Sequence, residues 1–252
     1  MSHSPEYPDF FARFYDLIYN HVRSSTDHDY FMEKILDAGG PVLEVGVGTG
    51  RFFIEALNRG ADIDGIDISV EMVKILMQKL PANQHHRVLV QDLCRLWMQR
   101  KYSLIIAPFR VFMHLVSVED QIAALNHIYD HLLPGGMFIF DLFVPNLKLL
   151  LEGLDNVNDF SGEYEPGKKI KRYATMHADL INQISHVTFR FVWDEDGKEH
   201  SKEWKTDLRL FFRYEIEHLI SRSRLSLENI FGSFDETELN SESREFIVVC
   251  SR

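Results

Sequence analysis

Short apolar runs alternate with amphipathic segments between residues 41 and 143. A short apolar run bounded by turn residues is typical of a buried strand, and apolar residues three and four positions apart are typical of a helix. This pattern predicts strands at 41–46, 62–67, 87–91, 102–107 and 137–143 and helices at 51–59, 70–80 and 119–133. The alternation favours a parallel sheet with helices on both faces.

The segments on either side of this stretch have different periods. Residues 1–40 carry two helical stripes, one through Phe10, Phe11 and Phe14 and another through Tyr30 and Phe31. Beyond residue 145, apolar and polar residues alternate at 168–178, 183–193 and 198–210, which predicts antiparallel strands with a hairpin turn at 194–197. A helix at 213–223 and strands at 225–231 and 245–251 return the chain to the first sheet.

These elements predict an α/β fold class: a doubly wound, mostly parallel, seven-stranded sheet of the Rossmann-like kind with an inserted antiparallel β subdomain. Residues 41–145 and 211–252 form the predicted core, 146–210 the insertion and 1–40 the N-terminal helices. Within the insertion, the alternation sends Val187, Phe189, Phe191 and Trp193 to one face. We expect that face to pack on the core.

Charge and cysteine content exclude several classes of function. The chain has 252 residues, a formal net charge of -11 and two cysteines, Cys94 and Cys250. An extensive nucleic-acid surface is disfavoured, because such affinity comes largely from Lys and Arg on phosphates. No stretch approaches the roughly 18 apolar residues of a membrane span, and residues 1–9 lack a signal-peptide pattern. We therefore expect a protein that does not enter a membrane. Both cysteines lie in apolar stretches, which is typical of buried thiols in a reducing compartment, so we also expect a cytoplasmic location.

The strand at 41–46 leads into a glycine-rich turn, in which Glu44 is followed by Gly46, Gly48 and Gly50. Glycines permit unusual backbone torsions and let a ligand approach the main chain closely. The dinucleotide fingerprint requires a glycine three positions after the second one, but Arg51 stands there. The turn therefore predicts a nucleotide-like ligand that is not held by a pyrophosphate.

Two acidic residues follow the next two strands. Asp67 ends the strand at 62–67, where a carboxylate can accept both hydroxyl groups of a ribose. Asp92 follows the strand at 87–91 in the same way, where it can accept from an adenine amino group. The turn and the two acids together suit an adenosyl group.

With these features the chain resembles the class I S-adenosylmethionine-dependent methyltransferases, in particular the small-molecule branch with an antiparallel insertion after strand five. The resemblance implies S-adenosyl-L-methionine as the cofactor and a small-molecule methyl acceptor. It also places the N-terminal helices over the cofactor, since the segment from Tyr15 to Tyr19 matches that branch's opening motif. The cofactor contacts it implies are Tyr15, Glu44, Gly46, Gly48, Gly50, Asp67, Ile68, Met72, Asp92, Leu93 and Pro108.

The acceptor should lie beyond strand four, because ligands in such sheets bind outside the carboxyl ends of the strands. We expect Phe109, Arg110 and His114 to bind it. His114 is the candidate general base, since its ordinary pKa lies near neutral pH. The resemblance implies that Tyr15 reaches over the methionine end of the cofactor, so we include it among the candidate catalytic residues. Arg110 can pair with a substrate carboxylate or with a neighbouring acid.

Several alternatives remain open. The acceptor atom is nitrogen or oxygen, and the fold also suits a regulatory protein that binds S-adenosylmethionine without turnover or a nicotinamide-dependent oxidoreductase. His127 and His131 have helical metal-ligand spacing, but no third ligand follows from the sequence, so we predict no metal. The insertion can roof the acceptor pocket or form a homodimer through a sheet edge.

Overall fold

The computed structural model describes residues 7–22 and 26–252. The helices are α1 Asp9–Val22, α2 Thr26–Asp37, α3 Phe53–Asn58, α4 Val70–Lys79, α5 Val118–His131, α6 Leu147–Glu152 and α7 Arg213–Ser221. The strands are β1 Val42–Val45, β2 Ile63–Asp67, β3 Val88–Val90, β4 Tyr102–Ala107, β5 Leu132–Phe143, β6 Leu154–Glu165, β7 Lys168–Asp179, β8 Ile184–Glu195, β9 Lys198–Arg209, β10 Ser226–Phe231 and β11 Glu245–Ser251.

Seven strands form one sheet in the order β10-β11-β5-β4-β1-β2-β3. Strands β1 to β5 pair in parallel, whereas β11 runs antiparallel to both β5 and β10. Along β4, Leu104 and Ile106 face one apolar layer and Ile105 and Ala107 face the other, and all four are buried. Burial of both faces explains why these strands read as continuous apolar runs. The predicted fold class is confirmed.

The remaining four strands form an antiparallel sheet in the order β6-β7-β8-β9. The predicted turn after β8 is present: Asp196 and Gly197 have φ of 51° and 72°, and two left-handed residues in succession suit a tight hairpin. Phe191 and Trp193 are buried as expected, but they pack on α1, where Phe10 lies 5.3 Å from Phe191. Val187 of the same face belongs to an apolar cluster that includes Phe143 of β5, so the face packs partly on α1 and partly on the core.

Two elements of this region were not predicted, α6 and the edge strand β6. Strand β6 is exposed along most of its length, and Phe160 is its buried residue. Its sequence therefore lacks the one-sided burial that produces an alternating pattern, and its pairing with β7 establishes the strand. Strand β5 also begins at Leu132, earlier than the predicted start at residue 137.

Hydroxyl side chains cap the starts of α4 and α5. Ser69 precedes α4 and accepts a hydrogen bond from the Met72 amide, and Ser117 precedes α5 and accepts one from the Asp120 amide. Such caps satisfy amides that have no partner inside the helix. Within residues 7–22 and 26–252, no helix has the length and apolar character needed to cross a membrane.

Candidate active site

A cavity opens at the carboxyl edge of the parallel strands, between β1, β2, β3 and β4 on one side and α1 on the other. Together with the open solvent at its mouth, it spans about 780 Å³ of empty space. Most predicted site residues line it: Tyr15, Gly46, Gly48, Asp67, Ile68, Met72, Asp92, Leu93, Pro108, Phe109 and His114. Glu44, Gly50 and Arg110 lie outside its wall.

The glycine-rich turn is tightly packed on its protein side and open on its cavity side. A Cβ atom at Gly46 would stand 2.3 Å from Val111 Cγ2, and one at Gly50 would stand 2.4 Å from Leu76 Cδ1. At Gly48 a Cβ would meet no protein atom closer than 3.9 Å. Gly50 thus packs the turn on α4, whereas Gly46 and Gly48 bring bare backbone to the cavity.

Asp67 both fixes the glycine-rich turn and lines the cavity. Its two carboxylate oxygens accept hydrogen bonds from the Gly48 and Ser69 amides, each at 2.8 Å. Burial raises the pKa of Asp67, while these amide donors act in the opposite direction. No Lys, Arg or His in the described part of the chain forms an ion pair with it. Since a carboxylate oxygen has more than one lone pair, hydroxyl donors can still bind here.

Asp92 lines the cavity just beyond the end of β3. Its Oδ1 accepts a hydrogen bond of 2.9 Å from the Cys94 amide and so starts the short 3-10 helix Leu93–Arg95. Leu93 and Met72 are both buried, and Ile68 lines the same wall. These apolar side chains line the cavity together with Asp92. Glu44 lies within β1, is buried and stands outside the cavity wall.

Helix α1 is anchored to the glycine-rich turn by Asp16. Asp16 accepts hydrogen bonds of 2.6 Å from the Thr49 hydroxyl and from the Lys79 ammonium, and Lys79 also donates to the Thr49 carbonyl. This anchor places Tyr15 in the cavity wall, with its ring centroid 4.4 Å from that of Tyr19. The motif residues 15, 16 and 19 are thus brought together, and Asp16 is the member that sequence reasoning overlooked.

The loop after β4 has an unusual backbone. Phe109 and Arg110 have φ of 59° and 63°, a region that residues other than glycine rarely adopt. The Asp141 carboxylate accepts a hydrogen bond from the Arg110 amide at 3.4 Å, and burial raises the pKa of Asp141 to about 6. Asp141 is buried near the end of β5, and its hydrogen bond links the loop after β4 to that strand.

Arg110 does not face the acceptor side of the cavity. Its guanidinium lies 2.5 Å from Glu245, the first residue of β11, and burial raises the pKa of Glu245 to about 7 despite this cation. The expectation that Arg110 binds the acceptor is therefore not supported by its placement. The alternative, that it pairs with a neighbouring acid, matches the geometry.

His114 ends the 3-10 helix Val111–His114 and reaches the cavity. Burial lowers its pKa to about 4, because the interior disfavours the imidazolium. The Tyr7 hydroxyl lies 3.3 Å from Nε2, and the Thr206 hydroxyl lies 3.3 Å from Nδ1. His114 is therefore neutral and weakly basic at pH 7, and each of its ring nitrogens lies within hydrogen-bond distance of a hydroxyl group.

The cavity also contains residues that the sequence did not single out: Tyr7, Val45, Ile66, Gln91, Val111 and Leu115. Ile66 and Gln91 directly precede Asp67 and Asp92. Their place in the cavity wall could therefore be inferred from the predicted positions of these two acids. No sequence pattern identifies Tyr7 as a cavity residue, because only the tertiary fold brings it to His114. The histidine pair at 127 and 131 is structural: His131 Nδ1 lies 2.7 Å from the His127 carbonyl, and its Nε2 accepts from the Met98 amide.

Residues 42–136 match a protein-family model described as a methyltransferase domain. A Bacillus subtilis protein named as a methyltransferase is 24% identical over 230 residues, covering 90% of this chain and 91% of the relative. A dTDP-3-amino-3,6-dideoxy-alpha-D-glucopyranose N,N-dimethyltransferase from Streptomyces fradiae is 23% identical over 244 residues, covering 90% and 88%. A crystal structure of an S-adenosylmethionine-dependent methyltransferase from Clostridium acetobutylicum superposes with a TM-score of 0.76 at 18% identity, covering 96% and 97%.

The chain therefore contains a methyltransferase domain and has the fold of S-adenosylmethionine-dependent methyltransferases, as its sequence predicts. The matched segment runs from β1 to the start of β5 and includes the glycine-rich turn, Asp67, Asp92 and His114. The predicted enzyme class and cofactor agree with this match.

Proposed function

We propose that this protein, with its methyltransferase domain at residues 42–136, transfers the methyl group of S-adenosylmethionine to an amine of a small molecule. The observation that carries the choice of nitrogen is the state of His114, which is buried, neutral and weakly basic. An amine that arrives uncharged needs no strong base, whereas an alcohol must lose its proton during transfer. The amino-sugar N,N-dimethyltransferase among the relatives supports this choice.

The cavity fits the cofactor on one side and leaves room for an acceptor on the other. Gly48 leaves open space beside the turn, and Asp67 is a buried carboxylate that hydroxyl donors can reach. We propose that Asp67 binds the ribose and Asp92 the adenine amino group. S-adenosylmethionine supplies a methyl group on an already activated sulfonium, so the protein acts mainly by alignment.

On the other side, Tyr15, Phe109 and His114 surround the position of the acceptor in this proposal. Their side chains carry no charge at neutral pH, so this wall favours an uncharged nucleophile over an ammonium. The left-handed backbone at Phe109 directs its ring toward the acceptor position, with the Tyr19 ring 5.5 Å away. We also propose a homodimer through the insertion sheet and a cytoplasmic location.

Turnover tests this proposal directly. Purified protein would be incubated with S-adenosylmethionine and defined panels of amino sugars, amino acids and other small amines, beside panels of carboxylic acids, phenols and sugar hydroxyls. We expect a mass gain of one methyl group in an amine, and we expect Asp67→Ala to abolish it. Products confined to the oxygen panels would contradict nitrogen transfer. Cofactor binding without any product would favour the regulatory protein.

A further inference from the structure

His114 lines the cavity, and each of its two ring nitrogens lies within hydrogen-bond distance of a hydroxyl group. Nε2 lies 3.3 Å from the Tyr7 hydroxyl, and Nδ1 lies 3.3 Å from the Thr206 hydroxyl. The three residues come from the segment before α1, the 3-10 helix after β4 and strand β9 of the insertion sheet. The sequence separations of 107 and 92 residues exclude any local origin of this arrangement.

The protonation of the ring follows from the chemistry of its two partners. A neutral imidazole has one N–H donor and one acceptor nitrogen, and each hydroxyl can donate or accept. The phenol of Tyr7 is more acidic than the alcohol of Thr206 and is the better donor. Tyr7 therefore donates to Nε2, and Nδ1–H donates to Thr206.

We propose that Thr206 is a positioning residue that accepts the Nδ1–H hydrogen bond of His114 and keeps the lone pair on Nε2, the nitrogen beside Tyr7 at the cavity. Its importance for catalysis rests on the function proposed above. There, the acceptor nitrogen forms a bond to the methyl carbon, the bond from that carbon to sulfur breaks, and S-adenosylhomocysteine leaves. The proton that the methylated nitrogen releases passes to solvent, because His114 is only weakly basic, and His114 acts in this step by holding the Tyr7 hydroxyl at the cavity.

Strand β9 is built to hold this pair of contacts. Thr206 is buried, and two residues earlier Trp204 lies on the same face of the strand. The Trp204 ring lies 4.6 Å from the Tyr7 ring and 4.5 Å from the Phe11 ring. One strand therefore positions Tyr7 through Trp204 and His114 through Thr206. In this proposal the insertion sheet completes the active site rather than only covering it.

The test uses matched variants of the whole chain. Thr206→Val keeps the side-chain shape but removes the hydroxyl, and Thr206→Ser keeps the hydroxyl. Thr188→Val makes the same change on the opposite face of the insertion sheet, at a position outside the cavity wall. The ¹⁵N chemical shifts of the His114 ring would be measured at pH 7, with and without S-adenosylhomocysteine.

We expect the Nδ1–H tautomer in the wild type, Thr206→Ser and Thr188→Val, and a mixture of tautomers in Thr206→Val. Where an amine acceptor has been found, Thr206→Val should lower kcat roughly tenfold with little change in the KM for S-adenosylmethionine, because the loss of one hydrogen bond leaves the cofactor side intact. Thr206→Ser should restore most of the rate.

An Nε2–H tautomer in the wild type, or an unchanged tautomer in Thr206→Val, would overturn the proposal. Both results are obtained without an acceptor, so they are independent of the methyl-transfer assay. Conversely, methyl transfer to an amine together with the wrong tautomer would leave the proposed function standing and reject the role of Thr206. If Thr206→Val does not fold, the wild type and Thr206→Ser still decide the tautomer.

Discussion

The two sides of the cavity are built in different ways. On the turn side, Gly46, Gly48, Asp67 and Asp92 come from consecutive strand ends, and backbone amides make most of the contacts. On the His114 side, Tyr7, Tyr15 and His114 come from distant parts of the chain, and side chains make the contacts. The turn side is therefore a local consequence of sequence, whereas the His114 side exists only when α1 and the insertion sheet have docked.

The largest expected effect comes from the packing of the turn. Gly46→Ala should destabilise the protein by about 1–2 kcal/mol through its left-handed backbone and by about 1–3 kcal/mol more through the collision with Val111. Gly60→Ala is the matched control, because Gly60 also has positive φ (88°) but no atom lies within 4 Å of its Cβ. Urea unfolding of both variants measures the difference.

A double variant sharpens this test. Val111→Ala removes Cγ1 and Cγ2, the two atoms nearest to the new Cβ, and leaves only Val111 Cβ at 3.2 Å, so Gly46→Ala should cost less in that background than in the wild type. Equal costs in the two backgrounds, or equal costs for Gly46→Ala and Gly60→Ala, would contradict the account of close packing between the turn and the loop after β4.

The second prediction concerns the docking of α1. Asp16→Asn should weaken the link to Lys79 and Thr49, and we expect affinity for S-adenosylhomocysteine to fall about threefold, in the range of a partly exposed ion pair. Titration calorimetry measures this change. Asp9→Asn, in the same helix but more exposed, is the control and should leave the affinity unchanged. An unaffected Asp16→Asn would mean that α1 docks without this anchor.

The third prediction concerns pH. Burial lowers the pKa of His114 to about 4 from its ordinary value of 6.5, so between these values the unfolded chain binds a proton that the folded protein does not. Stability should therefore fall as the pH is lowered from 6.5 to 4, and His114→Asn should lose this part of the dependence. Asp141 and Glu245 have raised pKa values, which change the stability in the opposite direction over this pH range. Their contributions are present in both proteins and therefore cancel in the difference between the two stability profiles. Parallel stability profiles would contradict a buried neutral His114.

The same contrast explains how much the sequence revealed. Strand ends, glycine spacing and acids follow the chain in order, so the seven-stranded sheet and the turn side were predictable. Asp16 was visible within the motif of Tyr15, but its partner Lys79 was not. Tyr7 and Thr206 have no pattern around them that points to His114, because their contacts depend on tertiary docking. Arg110 pairs with Glu245, which lies 135 positions away and which no pattern in the sequence identifies as its partner.

The most direct test of the central claim, that this cavity holds an adenosyl cofactor through Asp67, is a thermal shift with S-adenosylhomocysteine. A ligand at a hundredfold excess over its Kd adds about 2.7 kcal/mol, which corresponds to roughly 5–10 °C in Tm for a chain of this size. We predict this shift for the wild type and for the surface control Asp37→Ala, and none for Asp67→Ala or with NADPH. A shift with NADPH but none with S-adenosylhomocysteine would contradict the account.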